Sequence, residues 1–493
     1  MEISSVFSNQ NSVDQLIQQM MQIERRPLDQ LEQRRELLND RKGALSDLNS
    51  KVSTLYNKST RLLDDTITNY LAAKKATSSD SAKFTATASS TAQLGNHELT
   101  VDRLATVDTR VSMQYTGTNS DFTGFLTDQV FSITLAHPTD ADSTNRVSID
   151  VTVAAADLAG TNDDALSAIA EAINTAMSDA VADDVINSTE IARASVVSEQ
   201  DGVSRLVLRS NESGYTYRMD FTDSADNLLQ ALEVNSAVQS SGTSGGYITD
   251  IGTSSSDSLL NSKLTLDGLT FFRDSNDISD MFAGVSLRLL DTFSTPESLS
   301  VSVDTDKVKS EVKNFLDGYN GVMKTLRKYA ITNPDTNTPG VLARDYAYRN
   351  MITDLRQYTT GTVTDVNNSS YSKLYNIGIE ADSSGNLSLK DESKFIAALE
   401  DSSRNVTDIF QGTDGIATSL ETYLDKYRKT GGKIATSKES IDNQLTFLNT
   451  HISRVEERMQ TREAQLRKEF ASLQTAMSML ANQQNFLSQF TYY

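Results

Sequence analysis

The chain has 493 residues and a mass of 54.0 kDa, too long for one compact core, which favours about three domains of roughly 150 residues each. Its net charge of −21 argues against a chain built to coat nucleic acid, since that function requires a basic face. The chain has no cysteine, and no apolar run reaches the roughly 18 residues that span a membrane. Disulfides, thiolate metal sites and a membrane-spanning helix are therefore excluded.

The N-terminal region has the pattern of two amphipathic helices. Residues 1–10 are rich in Ser, Asn and Gln, and no basic stretch precedes an apolar one, so we expect no secretory signal peptide. Pro27 predicts a hinge between the two helices, because proline lacks the N–H that a helix interior uses. The first helix carries Val13, Leu16, Ile17, Met20 and Ile23. The second carries a seam spaced by seven, formed by Leu31, Leu38, Leu45 and Val52.

The acidity of the chain is concentrated in its middle. Residues 76–305 contain 11 basic and 33 acidic side chains, a net charge of −22, whereas the segments 1–75, 306–430 and 431–493 carry +1, −1 and +1. Near-neutral ends around an acidic middle predict an inserted body between terminal segments that belong together. The alternative is that the acidity only provides a solvated surface that resists aggregation.

Most of the middle region has the alternating pattern of half-buried strands, at residues 99–101, 147–153, 285–289 and 299–303. Asp201-Gly202 between two apolar pairs predicts a hairpin. One helix interrupts the strands and carries Leu166, Ile169, Ile173 and Met177. Residues 240–258 are rich in Gly and Ser and are interpreted as a boundary linker.

A helical bundle is predicted after the middle region. Its main helix has apolar steps of four and three, at Val308, Val312, Phe315, Tyr319, Val322 and Leu326. Shorter helical patterns follow at residues 346–355, 395–399 and 420–427. Gly431-Gly432 then predicts a helix cap or hinge before the last helix.

The C-terminal region predicts one helix of about 50 residues, since no Pro or Gly occurs after Lys433. Its seam steps by four and three like a coiled coil and widens after Leu466. The seam residues are Ile441, Leu445, Leu448, Ile452, Val455, Met459, Leu466, Phe470, Leu473, Met477 and Leu480. This seam and that of the N-terminal helix could pair within one chain or be shared between subunits. We favour a shared assembly seam, because helices this long exceed what the core of a monomer covers.

A search for catalytic or metal-binding patterns gives little. Phosphate-loop, zinc-protease, nucleophile-elbow and dinucleotide motifs do not occur in the sequence. His97, His137 and His451 are isolated and favour structural or surface positions. Asp163-Asp164 and Asp183-Asp184 lack the spacing of a calcium loop, so a solvated loop or helix start is the better interpretation. The sequence therefore predicts no enzyme, no cofactor and no metal.

Short motifs follow one another along the whole chain. They begin with Glu24-Arg25-Arg26-Pro27-Leu28 and Thr77-Ser78-Ser79-Asp80, and continue with Ala172-Ile173-Asn174 and Arg205-Leu206-Val207-Leu208. Later ones are Gly284-Val285-Ser286-Leu287, Tyr319-Asn320, Ile377-Gly378-Ile379 and Gly385-Asn386-Leu387. Each motif is weak alone, but their order resembles that of bacterial flagellar filament cap proteins, also called hook-associated protein 2.

The resemblance implies a multidomain α+β fold with long terminal coiled-coil helices, a helical bundle and two nested β-rich head domains. It places the coiled-coil legs at residues 1–42 and 433–493 and the bundle at 43–76 and 305–432. It places one β-rich head domain at 77–125 and 245–304, and an inserted outer head domain with one helix at 126–244.

The resemblance also implies a function and its partners. Members of this family form a homo-oligomeric ring, pentameric by family analogy, at the distal end of the filament, where they promote flagellin insertion and prevent its leakage. The implied partners are flagellin, the hook–filament junction protein and a cytosolic export chaperone, with no nucleic acid and no membrane. The implied route out of the cell is flagellar type III export.

The alternative class is an extracellular coiled-coil adhesin with acidic binding heads. An adhesin normally has a stalk at one end together with a signal peptide or an anchor. The matched terminal helices and the order of the motifs favour the cap.

Overall fold

A computed structural model describes residues 10–490 except 65–68, 141–144, 224–226, 236, 240–241 and 335. Among the described residues, no helix is both long enough and apolar enough to cross a membrane. The α-helices are α1 (Gln10–Leu62), α2 (Asn162–Ala182), α3 (Leu228–Leu232), α4 (Thr305–Ala330), α5 (Tyr346–Thr360), α6 (Glu392–Asp401), α7 (Arg404–Gln411), α8 (Ile416–Arg428) and α9 (Lys433–Phe490).

The strands lie mostly between α1 and α4. They are β1 (Lys74–Ser78), β2 (Phe84–Ala88), β3 (Gly95–Arg103), β4 (Val107–Val111), β5 (Tyr115–Thr116), β6 (Gln129–Ala136), β7 (Arg146–Val153), β8 (Ala192–Gln200), β9 (Val203–Ser213), β10 (Asp220–Asp223), β11 (Gly246–Tyr247), β12 (Ser262–Leu266), β13 (Leu269–Arg273), β14 (Asp277–Ile278), β15 (Val285–Leu289), β16 (Phe293–Val303), β17 (Ile379–Ala381) and β18 (Leu387–Leu389). The predicted α+β fold class, with long terminal helices and β-rich domains between them, is confirmed.

The chain forms two compact units. The terminal unit comprises residues 1–72 and 305–493, and the middle unit comprises residues 73–304. The terminal unit contains the long helices and the short helices of the bundle, whereas the middle unit contains 16 of the strands named above. Both ends of the chain thus contribute to one body.

The terminal unit is built around α1, which packs against α4, α8 and α9. Its C-terminal half is apolar on the packed face, where Leu45, Leu48, Val52 and Leu55 are fully buried. The six apolar residues predicted on α4 are also buried, with Phe315 meeting Phe410 edge-on at 5.6 Å between ring centroids. Gly318 of α4 faces α1, where an added Cβ would lie 3.5 Å from the Leu55 Cα, so the two helices approach closely at this glycine.

Helix α1 continues through Pro27 from Gln10 to Leu62, so the chain does not break there, and a bend or hinge at this residue stays a prediction. Proline in a helix interior removes one hydrogen bond and crowds the preceding turn at a cost of about 3 kcal/mol. Buried residues on both sides of Pro27, Ile17 and Leu28, hold the two segments in one helix. Tertiary packing therefore overrides the local preference for a break.

The remaining bundle elements confirm some predictions and add others. The helical patterns at 346–355, 395–399 and 420–427 lie in α5, α6 and α8. Helix α7 and the hairpin of β17 and β18 were not predicted. The hairpin turn contains Gly385 at φ +80°, and its flanking strands have only three residues each, too few for an alternating pattern to be visible.

The middle unit has two apolar cores. The first lies between a five-stranded sheet, ordered β1-β16-β3-β12-β13, and a three-stranded sheet, β14-β15-β2. Its centre includes Phe84, Leu99, Leu264 and Leu299, all fully buried. The strand patterns predicted at 99–101, 285–289 and 299–303 lie in β3, β15 and β16 and are confirmed.

The second core lies under α2, which packs on β7 and β8. The four predicted apolar residues of α2 are buried in it. The helix begins with a capping box, in which the Asp164 N–H donates to Thr161 Oγ1 and the Thr161 N–H donates to the Asp164 carboxylate, a strong start signal. The predicted hairpin is β8–β9, with Gly202 at φ +72° in its turn.

The strand pairing favours other boundaries for the domain around this second core than those predicted from the sequence. Strands β4, β5 and β11 join β9 in one sheet, ordered β11-β4-β9-β5. The predicted boundaries at 125/126 and 244/245 cut through this sheet, so the pairing favours boundaries nearer residues 105 and 258. Residues 240–258 contain β11 and receive a hydrogen bond from Tyr215 Oη to the Thr253 carbonyl, so their described part packs on the core rather than forming a free linker. The division of the chain into four domains stays a prediction.

A buried ion pair organises the second core. Asp108 and Arg110, two residues apart on β4, have fully buried side chains and pair through two hydrogen bonds of 2.8 and 3.1 Å. The guanidinium also donates to the Met219 carbonyl at 2.6 Å, and Asp108 accepts from the Met219 N–H at 2.8 Å. The ring of Phe221 lies 5.3 Å from the guanidinium carbon. The pair therefore satisfies its charges while it joins β4 to the segment before β10.

Arg110→Ala should destabilise the middle unit by about 3–5 kcal/mol, because it leaves the Asp108 carboxylate buried and uncompensated. The measurement is urea unfolding of the full chain followed by hydrogen exchange in β4 and β9. Arg288→Ala is the control, since Arg288 is 66% exposed and its ion pair with Asp277 should contribute at most about 1 kcal/mol. Equal small effects of both substitutions would contradict the role of the buried pair.

Candidate assembly surface

The predicted seam residues meet where α1 and α9 pack together in one chain. Leu38, Leu45 and Val52 of α1 are buried, whereas Leu31 is half-buried. On α9 the buried members are Ile441, Leu448, Ile452, Val455 and Leu466. Leu445, Met459, Phe470 and Met477 are half-buried, and Leu473 and Leu480 are exposed. The structure thus brings most of the two seams together inside one chain, and a seam shared between subunits stays a prediction.

Two ion pairs define the direction and register of this contact. Lys42 Nζ pairs with Asp442, and Arg467 Nη1 lies 2.8 Å from Asp14 Oδ1. The two helices are antiparallel, because the earlier residue of α1 pairs with the later residue of α9. All four side chains are at least 40% exposed, so solvent screens each pair and the apolar contacts provide most of the stability.

The exposure of the last seam residues follows from this register. Asp14 meets Arg467 close to the first described residue of α1, Gln10, whereas α9 continues to Phe490. Leu473, Met479 and Leu480 beyond this point are 43%, 62% and 56% exposed. The described part of α1 ends too early to cover them.

A groove runs along the outside of the α1–α9 hairpin and was not predicted. It has a volume of about 730 Å³, and its lining combines four apolar residues with polar ones: Leu31, Leu38, Phe447 and Leu448, then Arg34, Thr436, Glu439, Ser440, Asn443, Gln444 and His451. Phe447 is 75% exposed beside it, and Leu37 of α1 is 56% exposed. Both residues are large and apolar but lie outside the heptad positions. This mismatch is the sequence signal that could have identified an exposed apolar surface. We call this groove, with Phe447 in its lining, the outer hairpin face.

The predicted hinge at Gly431-Gly432 lies in the link between α8 and α9. Gly431 adopts φ +73°, a left-handed conformation that side chains rarely adopt. A Cβ on Gly432 would lie 2.8 Å from the Lys429 carbonyl oxygen, and the Gly432 N–H donates to that same carbonyl. Both glycines are thus required for a tight turn, and their role as a hinge stays a prediction.

A further ion pair connects α1 to the bundle. Arg61 near the end of α1 binds Glu311 of α4 through two hydrogen bonds of 2.8 Å. The Arg61 guanidinium also lies 3.8 Å from the centre of the Tyr70 ring. Hydrogen bonding from Arg61 lowers the pKa of the Glu311 carboxyl, whose side chain is only 6% exposed. This pair was not predicted, because its members are 250 residues apart.

The other candidate chemical groups have structural roles. His97 Nδ1 lies 2.7 Å from Asp267, and His137 accepts N–H groups of the following turn. Asp164 belongs to the capping box, and Asp183 is the C-cap of α2. Within the described ranges, no cluster of three or more His, Asp or Glu side chains is arranged to hold a metal.

The terminal helices pair with each other, the β-rich unit is inserted between them in sequence, and the outside of the pair carries the exposed Phe447, an arrangement that favours a structural assembly protein over an enzyme. The family described as "Flagellar hook-associated protein 2 N-terminus" matches residues 10–108, and "Flagellar hook-associated protein 2 C-terminus" matches residues 260–482. The chain belongs to the flagellar hook-associated protein 2 family.

Its relatives resemble it along most of their length. Flagellar hook-associated protein 2 of Escherichia coli K12 is 25% identical over 424 residues, covering 84% of this chain and 82% of the relative. The A-type protein of Pseudomonas aeruginosa is 25% identical over 433 residues, with 84% and 80% covered. The crystal structure of the D1-D2-D3 domains of the flagellar cap protein FliD from Escherichia coli has a TM-score of 0.59 and 25% identity, covering 81% of this chain and 99% of that one. The role of the chain is that of a flagellar filament cap, as its motif order predicted.

Glu311→Gln should lower the stability of the terminal unit at pH 7 by about 1–2 kcal/mol and flatten its dependence on acid pH. The folded-state pKa of Glu311 is depressed, so its contribution is present above the unfolded-state pKa and is lost as pH falls through the folded-state value. The measurement is urea unfolding followed by helical circular dichroism between pH 7 and pH 3.

Glu392→Gln is the matched control, because this exposed carboxylate pairs with Lys309 and Lys313 at the surface. Its loss should change stability much less than the loss of Glu311, because solvent screens an ion pair at the surface. An unchanged acid profile for Glu311→Gln would contradict the assigned role of the Arg61 pair.

Proposed function

We propose that this protein sits at the distal end of the flagellar filament, promotes the insertion and polymerisation of exported flagellin, and prevents its leakage. The observation that carries the proposal is the antiparallel α1–α9 hairpin, which is stabilised by its own seam and presents the outer hairpin face. Such a hairpin can act as a leg that is already folded before it meets a neighbour. Its seam residues contribute roughly 1.5–3 kcal/mol each when fully buried.

The outer hairpin face is proposed to bind a second copy of the chain. Phe447 is 75% exposed in the lining of the groove, and large aromatic residues are typical anchors of protein interfaces. Membership in a cap family supports self-association as the use of this face. By family analogy the assembly is a pentameric ring, and a seam shared between subunits would enlarge the same contact.

The remaining partners belong to the same proposal. Flagellin would be inserted beneath the assembly, and the hook–filament junction protein would receive the cap before the filament grows. A cytosolic chaperone would cover Leu473, Met479 and Leu480 of α9 before type III export, since an apolar face of this kind favours aggregation. The Gly431-Gly432 turn would let the hairpin change direction while each flagellin is added.

The double substitution Leu445→Asp and Ile452→Asp should abolish capping. Ile452 is 3% exposed and Leu445 is half-buried, so two new carboxylates would oppose the pairing of α9 with α1 at a cost of several kcal/mol. The measurement is filament length and flagellin release from cells that carry the variant, alongside circular dichroism of the purified protein.

The control for this double variant places Asp at Thr446 and Thr450, exposed positions of the same helix. It adds the same charge without entering the seam, so filaments should remain normal. Normal filaments from the Leu445 and Ile452 variant, with hydrogen exchange showing α1 and α9 unpaired, would remove the hairpin from the mechanism.

Phe447→Ser should separate assembly from folding. Its side chain is exposed, so we expect helical content and melting temperature to stay within the error of the wild-type values while self-association weakens at least tenfold. Sedimentation velocity over a concentration series measures this directly, with Tyr346→Ser as the control, because the Tyr346 ring on α5 is 71% exposed and lies outside both seams. Unchanged association of the Phe447 variant would exclude the outer hairpin face as the interface.

A further inference from the structure

The segment from β4 to β11 has an unusual charge composition. Residues 107–247 contain six arginines, no lysine and 21 Asp or Glu side chains. With so many carboxylates nearby, each arginine is expected to form an ion pair with an Asp or Glu side chain. Four of the arginines do, since Arg110 pairs with Asp108, Arg205 with Glu199, and both Arg146 and Arg218 with Asp220.

Arg193 and Arg209 differ from the other four. Across the described ranges neither forms an ion pair or a side-chain hydrogen bond, and both are exposed. They also lie directly opposite each other in the β8–β9 ladder. Like charges at opposed positions of an antiparallel pair destabilise the sheet. Folding therefore gives no reason for two arginines to face each other here.

A cavity of about 870 Å³ opens beside this arginine pair, between β8 and the second half of α2. Its lining includes both arginines, the hydroxyls of Ser178, Ser188 and Ser195, and the apolar Met177, and it contains no carboxylate. The volume lies in the range of ligand sites in proteins. A cavity without acids, in a segment with 21 of them, is a local positive site.

The strand that carries Arg193 is held in place from its outer edge. The Asn174 side chain of α2 donates to the Ala194 carbonyl at 2.8 Å and accepts from the Ala194 N–H at 3.0 Å. The Asn174 amide thus occupies the Ala194 N–H and carbonyl that would otherwise pair with another strand, so no further strand can add to β8 at this point. It also fixes β8 against α2, so the backbone on which the arginine pair stands is rigid.

We propose that Arg193, Arg209 and the adjoining cavity form a binding site for a carboxylate ligand. A guanidinium presents a planar fork that matches a carboxylate through two parallel hydrogen bonds, and two adjacent forks favour a ligand with neighbouring carboxylates. The ligand is either a free polycarboxylate or an acidic stretch of polypeptide. The surrounding negative field confines an anion to this cavity, because elsewhere on the segment it is repelled.

The experiment uses the full chain and two probes, citrate and a hexaglutamate peptide, titrated by calorimetry at low salt. Both probes carry neighbouring carboxylates, and the tighter of the two identifies the source of the ligand. The Arg193→Thr and Arg209→Thr double variant should weaken binding at least tenfold. Lysine at both positions should give an intermediate affinity, since it keeps the charge and loses the fork.

Arg288→Thr is the control, because Arg288 lies on β15 in the same unit and pairs with Asp277. It should leave both titrations unchanged. The melting temperature of the threonine double variant should equal or exceed that of the wild type, since the opposed charges are gone. A lower melting temperature would assign the arginines a structural role, and absent binding, or equal binding by wild type and double variant, would overturn the proposal.

Discussion

The antiparallel seam between α1 and α9 is the contact on which the terminal unit depends. Helices of 53 and 58 residues are too long for the compact bundle to cover along their whole length. An isolated helix with a narrow apolar stripe has little stability of its own. Pairing the two buries that stripe and brings the ends of the sequence into one body. The middle of the chain must then leave and return between α1 and α4, so its position as an insertion is a consequence of the seam.

Electrostatics has a different use in each unit. In the terminal unit, ion pairs such as Lys42–Asp442 and Arg61–Glu311 join segments far apart in sequence, where they set register rather than provide most of the stability. In the middle unit, arginines are rare and most have a specific carboxylate, with Arg110 and Asp108 fully buried. Against that background, two facing arginines without a carboxylate partner among the described residues are a deviation that folding does not explain.

Long periodic patterns made much of the fold predictable. The apolar steps of α4 and α9 and the alternation of β3, β15 and β16 repeat often enough to identify each element, and the β8–β9 turn follows from Asp201-Gly202. Short elements were not predicted, since β17, β18 and α7 contain too few residues to show a periodic pattern. Pro27 does not end the helix, since Ile17 and Leu28 on either side of it are buried and their packing offsets its local cost.

The candidate surface was only partly predictable for a related reason. A heptad identifies residues that face a partner helix, so Leu45 and Ile452 were found, but it says nothing of residues that face outward. Phe447 is off the heptad and Arg61–Glu311 joins positions 250 apart, so both required the fold. The exposure of Leu473 and Leu480 depends on where α1 begins relative to α9, which periodicity does not encode.

The most direct test of the account is a cross-link across the seam in the assembled state. The chain has no cysteine, so Lys42→Cys and Asp442→Cys introduce one reactive pair at the observed contact, bridged by a short bis-maleimide. If α1 and α9 pair within each subunit of the cap, denaturing gels of cross-linked assemblies will show a product at the mass of one chain. A ladder of covalent dimers and larger species would contradict the account, because it would show that the two helices come from different subunits.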